Sequence, residues 1–186
     1  AVEAAQISGS SFSAIERLSR LALSGHSASL NADEALRKLR LDGQPGVIAL
    51  NMIGDHARAI QNYEKAIFWL EQANSTAAGR NPMVLNNLAL ATIRGRPQDA
   101  ETALRYANET LGLVPGNSDA LAARGEIYLV MKNYKDALAD LIESLRNRPG
   151  SAEVHQLLEQ AYLGLGDERM AHEHAKRATE LAAVAT

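Results

Sequence analysis

Between Asn117 and Pro149 the apolar and small residues fall in two runs, Leu121, Gly125 and Tyr128, then Tyr134, Ala137, Leu138, Leu141 and Leu145. Steps of three, four and seven within each run place one apolar stripe on each of two α-helices. Lys132-Asn133 interrupts the rhythm and turns the chain, and Asn133 is placed to cap the second helix. The pattern then returns: Pro115 and Pro149, Tyr128 and Tyr162, Ala137 and Ala171, and Ser144 and Ala178 are each 34 residues apart. A fixed period of this length predicts a stack of helix pairs, each burying its apolar face on the next. In the following unit Gly166-Asp167 joins a left-handed helix stop to a helix-capping carboxylate.

Gly125 falls inside the first helix, where glycine costs about 1 kcal/mol relative to alanine. A compensating contact is required, and a glycine facing Ala137 supplies one by letting the two backbones approach closely. The set Gly125, Tyr128, Ala137, Leu141, Ser144 and Pro149 resembles the signature of the tetratricopeptide repeat: small residue, aromatic, alanine, bulky residue, small residue, terminal proline. The resemblance implies an all-α fold, a right-handed superhelical array of antiparallel helix pairs.

On that pattern the repeats span 47–81, 82–117, 118–151 and 152–186. The first carries Gly54, Asn62-Tyr63, Ala66, Leu70 and Ala73. The second reads Asn86-Asn87-Leu88-Ala89, then Ala103, Ala107 and Pro115, with two extra residues near Arg94–Pro97. Asn81-Pro82 opens it with a cap and a proline at the first helical position. Ser75–Arg80 is longer than the family pattern and is expected to splay the first and second repeats. The fourth has Tyr162, Ala171 and Ala178, with Glu159 where a small residue belongs. Residues 1–46 form an amino-terminal extension, a degenerate repeat or cap, with helices at Phe12–Ser24 and Asn31–Leu41 bounded by Gly25 and Gly43-Gln44-Pro45-Gly46. Leu138, Ile142 and Leu145 of the third repeat become His172, Lys176 and Thr179 in the fourth, so the carboxyl-terminal face is expected to be a polar cap without self-contact.

Aromatic residues are only 4% against 46% hydrophobic, so small and aliphatic side chains on helices must supply the core. A net charge of −3 leaves no basic footprint for phosphate backbones, which argues against nucleic acid. No apolar run approaches the roughly 20 residues of a membrane span, so direct membrane insertion is not expected. The chain begins at Ala1 rather than Met, as a processed chain or an excised domain would, and both cytoplasmic and periplasmic locations stay open. The absence of cysteine removes disulfides, thiolate zinc sites and cysteine nucleophiles together. Asn74-Ser75-Thr76 and Asn108-Glu109-Thr110 match the glycosylation sequon, but the pattern is short and the second falls on a predicted helix.

No phosphate loop, nucleophile elbow or dinucleotide glycine pattern occurs. Of the five histidines, His172 and His174 point to different faces of one helix, so with Glu168 they do not converge on a metal. His155 stands where the repeat usually has a large apolar residue, and His56 lies on a polar stretch; packing and solvation account for both. No catalytic residue, cofactor or metal is expected.

In the family, the first helices of successive repeats line a concave binding surface. The resemblance assigns to it Asn51, Met52 and Asp55; Met83, Asn86, Asn87, Leu90 and Arg94; Asp119, Ala122, Ala123, Glu126 and Leu129; and Glu153, Gln156, Leu157 and Gln160. Met52, Met83, Leu90, Leu129 and Leu157 suit an apolar helix or extended peptide, and Asp119, Glu126 and Glu153 favour a basic flank. Alternatively these apolar side chains pack between repeats, since methionine also fills core gaps. Some members grip the acidic tail of heat-shock chaperones with a clamp of lysine, arginine and asparagine. Asn87 matches one clamp position, but Asn51, Asp119 and Ala123 replace the basic ones, so that ligand is not expected. The resemblance implies a non-catalytic scaffold for a protein or peptide partner; the alternative is a structural or self-assembling component of a larger envelope, secretion or polysaccharide-export complex.

Overall fold

The computed structural model describes residues 13, 14, 16, 17, 20 and 43–184. Ser13, Ala14, Glu16, Arg17 and Arg20 are helical, and Arg20 donates to the Glu16 carboxylate at 2.6 Å. The rest of the helix pair expected at Phe12–Ser24 and Asn31–Leu41 lies outside the described residues. From Gly43 onward the chain forms α1 (Gly43–Ala59), α2 (Tyr63–Thr76), α3 (Pro82–Gly95), α4 (Ala100–Leu113), α5 (Ser118–Val130), α6 (Tyr134–Asn147), α7 (Ala152–Leu165) and α8 (Glu168–Val184). A 3-10 turn at Pro97–Asp99 takes up the extra length seen near Arg94–Pro97. No strand occurs among the described residues, and the fold is an all-α helical repeat. The chain divides into two compact units, Ala1–Gly95 and Arg96–Thr186.

In the first unit α1 packs on α2, and α3 packs on α2 and touches α1. A Cβ at Gly54 would lie 2.5 Å from Leu70 Cγ and 3.3 Å from the Ala66 carbonyl, so only a bare backbone lets α1 and α2 meet there. Gln61 takes a left-handed φ of 60° in the turn, and Asn62 Oδ1 then caps α2 by accepting from Lys65 N. Asn81 Oδ1 accepts from Met83 N and Val84 N ahead of α3, with Pro82 at the first helical position. Two expectations are corrected. Gly43-Gln44-Pro45-Gly46 is not a boundary but the first turn of α1, where a proline without an N–H breaks no helical bond. Ser75–Arg80 does not splay the repeats: α2 runs on to Thr76, and left-handed Ala78 and Gly79 fold the chain back so that α3 lies against α2.

The second unit repeats this device. A Cβ at Gly125 would fall 2.7 Å from Leu141 Cγ and 3.4 Å from the Ala137 carbonyl, the same partners at the same spacing as Gly54, Leu70 and Ala66. Ala137 and Leu141 of α6 join Val154, Leu157, Leu158 and Ala161 of α7 in one buried cluster, with Tyr128, Leu129, Leu138, Leu145 and Tyr162 packed against it. Asn117 caps α5 through Ala120 N at 2.9 Å, and Ser151 caps α7 through Val154 N at 3.3 Å. Gly166 is left-handed (φ 80°), and Asp167 Oδ1 accepts from Met170 N to start α8. Asn133 stands at the start of α6 but makes no capping bond to the backbone; its amide donates instead to Asp136 in the first turn. Ile142 is exposed, as are His172, Lys176 and Thr179 on α8.

Several anchoring contacts were not visible in the periodicity. Arg124 on α5 holds Asp140 on α6 in a bidentate pair, Nε–Oδ2 2.6 Å and Nη2–Oδ1 2.8 Å, and also donates to Asn108 on α4. The hydrogen bond that Arg124 donates to Asp140 raises the Arg124 pKa further, opposed by partial burial. Ser144 Oγ donates to the Ser118 carbonyl at 2.8 Å, tying the end of α6 to the start of α5. Gly164 lies against the Tyr134 ring, and Gly95, in the first unit, against Tyr63. Both sequons lie on helices, Asn74 in α2 and Asn108 in α4.

Replacing Gly125 with leucine should destabilise the second unit by about 1–3 kcal/mol through overpacking against Leu141. Gly112, with no heavy atom near its missing Cβ, should accept alanine without loss. Thermal unfolding compares them, and a Gly125→Leu midpoint equal to the parent's rules out the close approach. Asp140→Ala strands a half-buried guanidinium and should cost about 1–3 kcal/mol in urea unfolding. Breaking the exposed Arg146–Glu143 pair should cost at most about 1 kcal/mol. Equal costs for the two changes would deny the Arg124 pair its anchoring role.

Candidate interaction surface

The residues assigned to the concave face come from α1 and α3 in the first unit and from α5 and α7 in the second. On α1 and α3 they form a polar ladder with an apolar edge. Asn51 and Asn87 are only 8% and 9% exposed, because Asn87 Nδ2 donates to Asn51 Oδ1 at 3.1 Å. Asn51 Nδ2 in turn donates to Met83 Sδ at 3.2 Å, and Met83 itself is 64% exposed. Met52, Asp55, Asn86, Leu90 and Arg94 are half-buried, and Asp55 accepts from Arg58 at 2.6 Å. Asn86 Oδ1 is buried without a hydrogen-bond partner. Arg94 also lines an open cleft of about 540 Å³ with Gly95 and the α1–α2 turn, Ile60 to Glu64.

Ile48, 56% exposed, was missed. It stands one turn before Asn51 and Met52 on the same helical face, at the register position that Met83 holds in the next repeat. Counting the repeat back from Met83 is the signal that finds it.

In the second unit the assigned residues separate by depth. Asp119, Glu153, Gln156 and Gln160 are exposed, Ala122, Glu126 and Leu129 half-buried, and Ala123 and Leu157 buried. Leu157 belongs to the α6–α7 cluster and Ala122 and Leu129 pack against it, so these three serve the interior. Asp119 is ion-paired with Arg148. Among the apolar side chains of α5 and α7 that do reach the surface are Val130, one turn after Glu126, and Leu163, one turn after Gln160, 42% and 52% exposed. Neither was assigned from the sequence, although Leu163 lies one repeat after Leu129.

His155 is buried, as its apolar register position required, but it does not pack alone. Its Nδ1 is 2.8 Å from His174 Nδ1 on α8, and the His174 ring stacks on Tyr162 at 5.4 Å and 11°. Burial lowers the pKa of His155, helped by the charges of His174 and Arg177 and opposed by the Pro149 carbonyl; burial also lowers that of His174, opposed by Glu173. The pair escaped the sequence reading because its members sit on different helices. The cue was one repeat earlier, where Asp140 at the register of His174 turns inward to Arg124. His172 is exposed, His56 half-buried, and among the described residues no three metal-binding side chains converge. No helix among them is long and apolar enough to cross a membrane.

The family model described as tetratricopeptide repeat matches residues 94–161. Peptidyl-prolyl cis-trans isomerase FKBP4 of Rattus norvegicus is 25% identical over 172 residues, covering 83% of this chain, which spans only 37% of that protein. The solved structure of MamA from Desulfovibrio magneticus superimposes with a TM-score of 0.66 at 15% identity, over 93% of this chain and 96% of that one. The first TPR domain of Spaghetti (RPAP3), bound to the HSP90 peptide SRMEEVD, gives 0.59 at 19% identity, over 68% of this chain and 98% of that one. Residues 94–161 thus carry tetratricopeptide-repeat sequence, and the glycine–alanine–leucine contact found within that stretch recurs in the first unit.

Proposed function

We propose that the chain is a non-catalytic scaffold that binds a protein or peptide partner on the first-helix faces of its repeats. The observation that carries this is the placement of apolar side chains in water beside polar ones on those faces. Ile48 and Met83 flank the Asn51–Asn87 pair, and Val130 and Leu163 flank Glu126 and Gln160. Apolar groups of this kind, set among amide and carboxylate side chains, suit a partner segment that alternates apolar anchors with hydrogen-bonding or basic residues. Ala123 and Leu157 shape the floor of the face rather than meet the partner.

The acidic peptide held by the RPAP3 domain is a poor match. Asn87 donates to Asn51, whose own amide donates to Met83, and Asp119 and Ala123 bring no positive charge. This chain spans only 37% of FKBP4, and the isomerase activity in the name of that protein is not carried over to this reading.

Display of random peptides on the intact protein tests the proposal. Binders should be enriched in apolar residues spaced with lysine or arginine. Ile48→Asp with Met83→Asp, and Val130→Asp with Leu163→Asp, should each weaken a selected peptide by about tenfold or more, as loss of a central anchor does. His172→Ala with Lys176→Ala on α8 should leave binding unchanged. Equal binding by all variants removes the first-helix faces as the site. Concentration-dependent growth in light scattering without any peptide would favour self-assembly instead.

A further inference from the structure

Helix α8 buries few apolar side chains completely, as α4 does with Ala103 and Ala107. Across Glu168–Val184 only Ala171 and Ala178 are buried, whereas α7 beneath it buries Val154, His155, Leu157, Leu158 and Ala161. Met170, Ala175 and Leu181 are only half-buried beside these two methyl groups. Between them on the same stripe, three residues after Ala171 and four before Ala178, stands His174. It makes the specific contacts of the interface, Nδ1 to Nδ1 with His155 at 2.8 Å and ring to ring with Tyr162.

A nitrogen-to-nitrogen hydrogen bond needs one imidazole to donate and the other to accept, so at least one ring must be neutral. When both are protonated all four ring nitrogens carry hydrogens, and the same contact sets two like charges against each other at a buried site. The groups acting on the pair are Arg177 and Glu173 from α8, the Pro149 carbonyl from the α6–α7 loop and the stacked ring of Tyr162 from α7. Arg177 adds to burial in opposing a charge on His155, whereas the Pro149 carbonyl on His155 and Glu173 on His174 favour one without outweighing burial.

We propose that the His155–His174 pair is an acid-operated latch, which holds α8 on α7 while one imidazole is neutral and releases it when both are protonated, baring His155 and Tyr162. The direction follows from linkage. Both folded-state values lie below the ordinary histidine value of about 6.5, so the docked state binds fewer protons than the released one. Docking is therefore at full strength above about pH 6.5 and fades as the pH falls through the lower folded-state values. The latch lies apart from the first-helix faces and does not depend on what binds them.

Amide hydrogen exchange on the whole chain, corrected for the intrinsic pH dependence of exchange, tests the latch. Between neutral and mildly acidic buffer, residues 168–184 should lose protection by about tenfold or more, while α5 and α6 keep theirs. His155→Leu with His174→Gln removes the titrating pair and should make α8 protection the same in both buffers. Unchanged α8 protection in the parent overturns the latch, and so does loss of protection in all helices together. Should the double variant fail to fold, nuclear magnetic resonance titration of the parent decides: uptake of the pair's second proton below about 6.5 supports it, and uptake of both protons at or above that value overturns it.

Discussion

A leucine side chain resting on bare backbone sets the distance between helices in both units. Leu70 lies over Gly54 and Leu141 over Gly125, and in each case the carbonyl of an alanine closes the contact from behind. A side chain at the glycine would push the helices apart, and the alanines at 66 and 137 would then face a gap rather than a neighbour. The close approach is also why so few aromatic residues suffice. At this spacing methyl groups and leucines fill the interior, leaving tyrosines to pack at its margin.

With that distance fixed, each first helix divides into a side that meets its own second helix and a side turned away. Several buried polar residues find partners across helices, Asn87 with Asn51 between two first helices, and Asp140 with Arg124 and Ser144 with the Ser118 carbonyl between a first helix and its second. Each of these bonds has a direction, which apolar packing lacks, and so fixes the rotation of one helix against another. The outward side keeps its amides, carboxylates and scattered apolar groups in water.

The architecture was largely legible because it is written in residue type and spacing. Proline, tyrosine and alanine recurring at 34 residues identify helix pairs, and Asn81 and Asp167 mark where helices begin. The surface was less legible. Register says which residues share a face but not how deep each one sits, so Leu157 and Ala123 were grouped with Glu153 although they are buried, and Leu163 was passed over. Contacts between side chains on different helices, such as His155 with His174, depend on rotation angles that a one-dimensional pattern does not carry. The boundary at Gly43–Gly46 misled for another reason: glycine and proline serve equally at the end of one helix and in the first turn of the next.

The two glycine–tyrosine contacts bear on how such a chain can change length. Gly164 sits near the end of α7 and meets Tyr134 at the start of α6; Gly95 ends α3 and meets Tyr63 at the start of α2. One residue added within α7 or α3 would turn the helix end by about 100° and bring a different side chain under the ring. Extra length therefore fits better in the segments between these helices, and the 3-10 turn at Pro97–Asp99 is where the added residues of the second repeat lie.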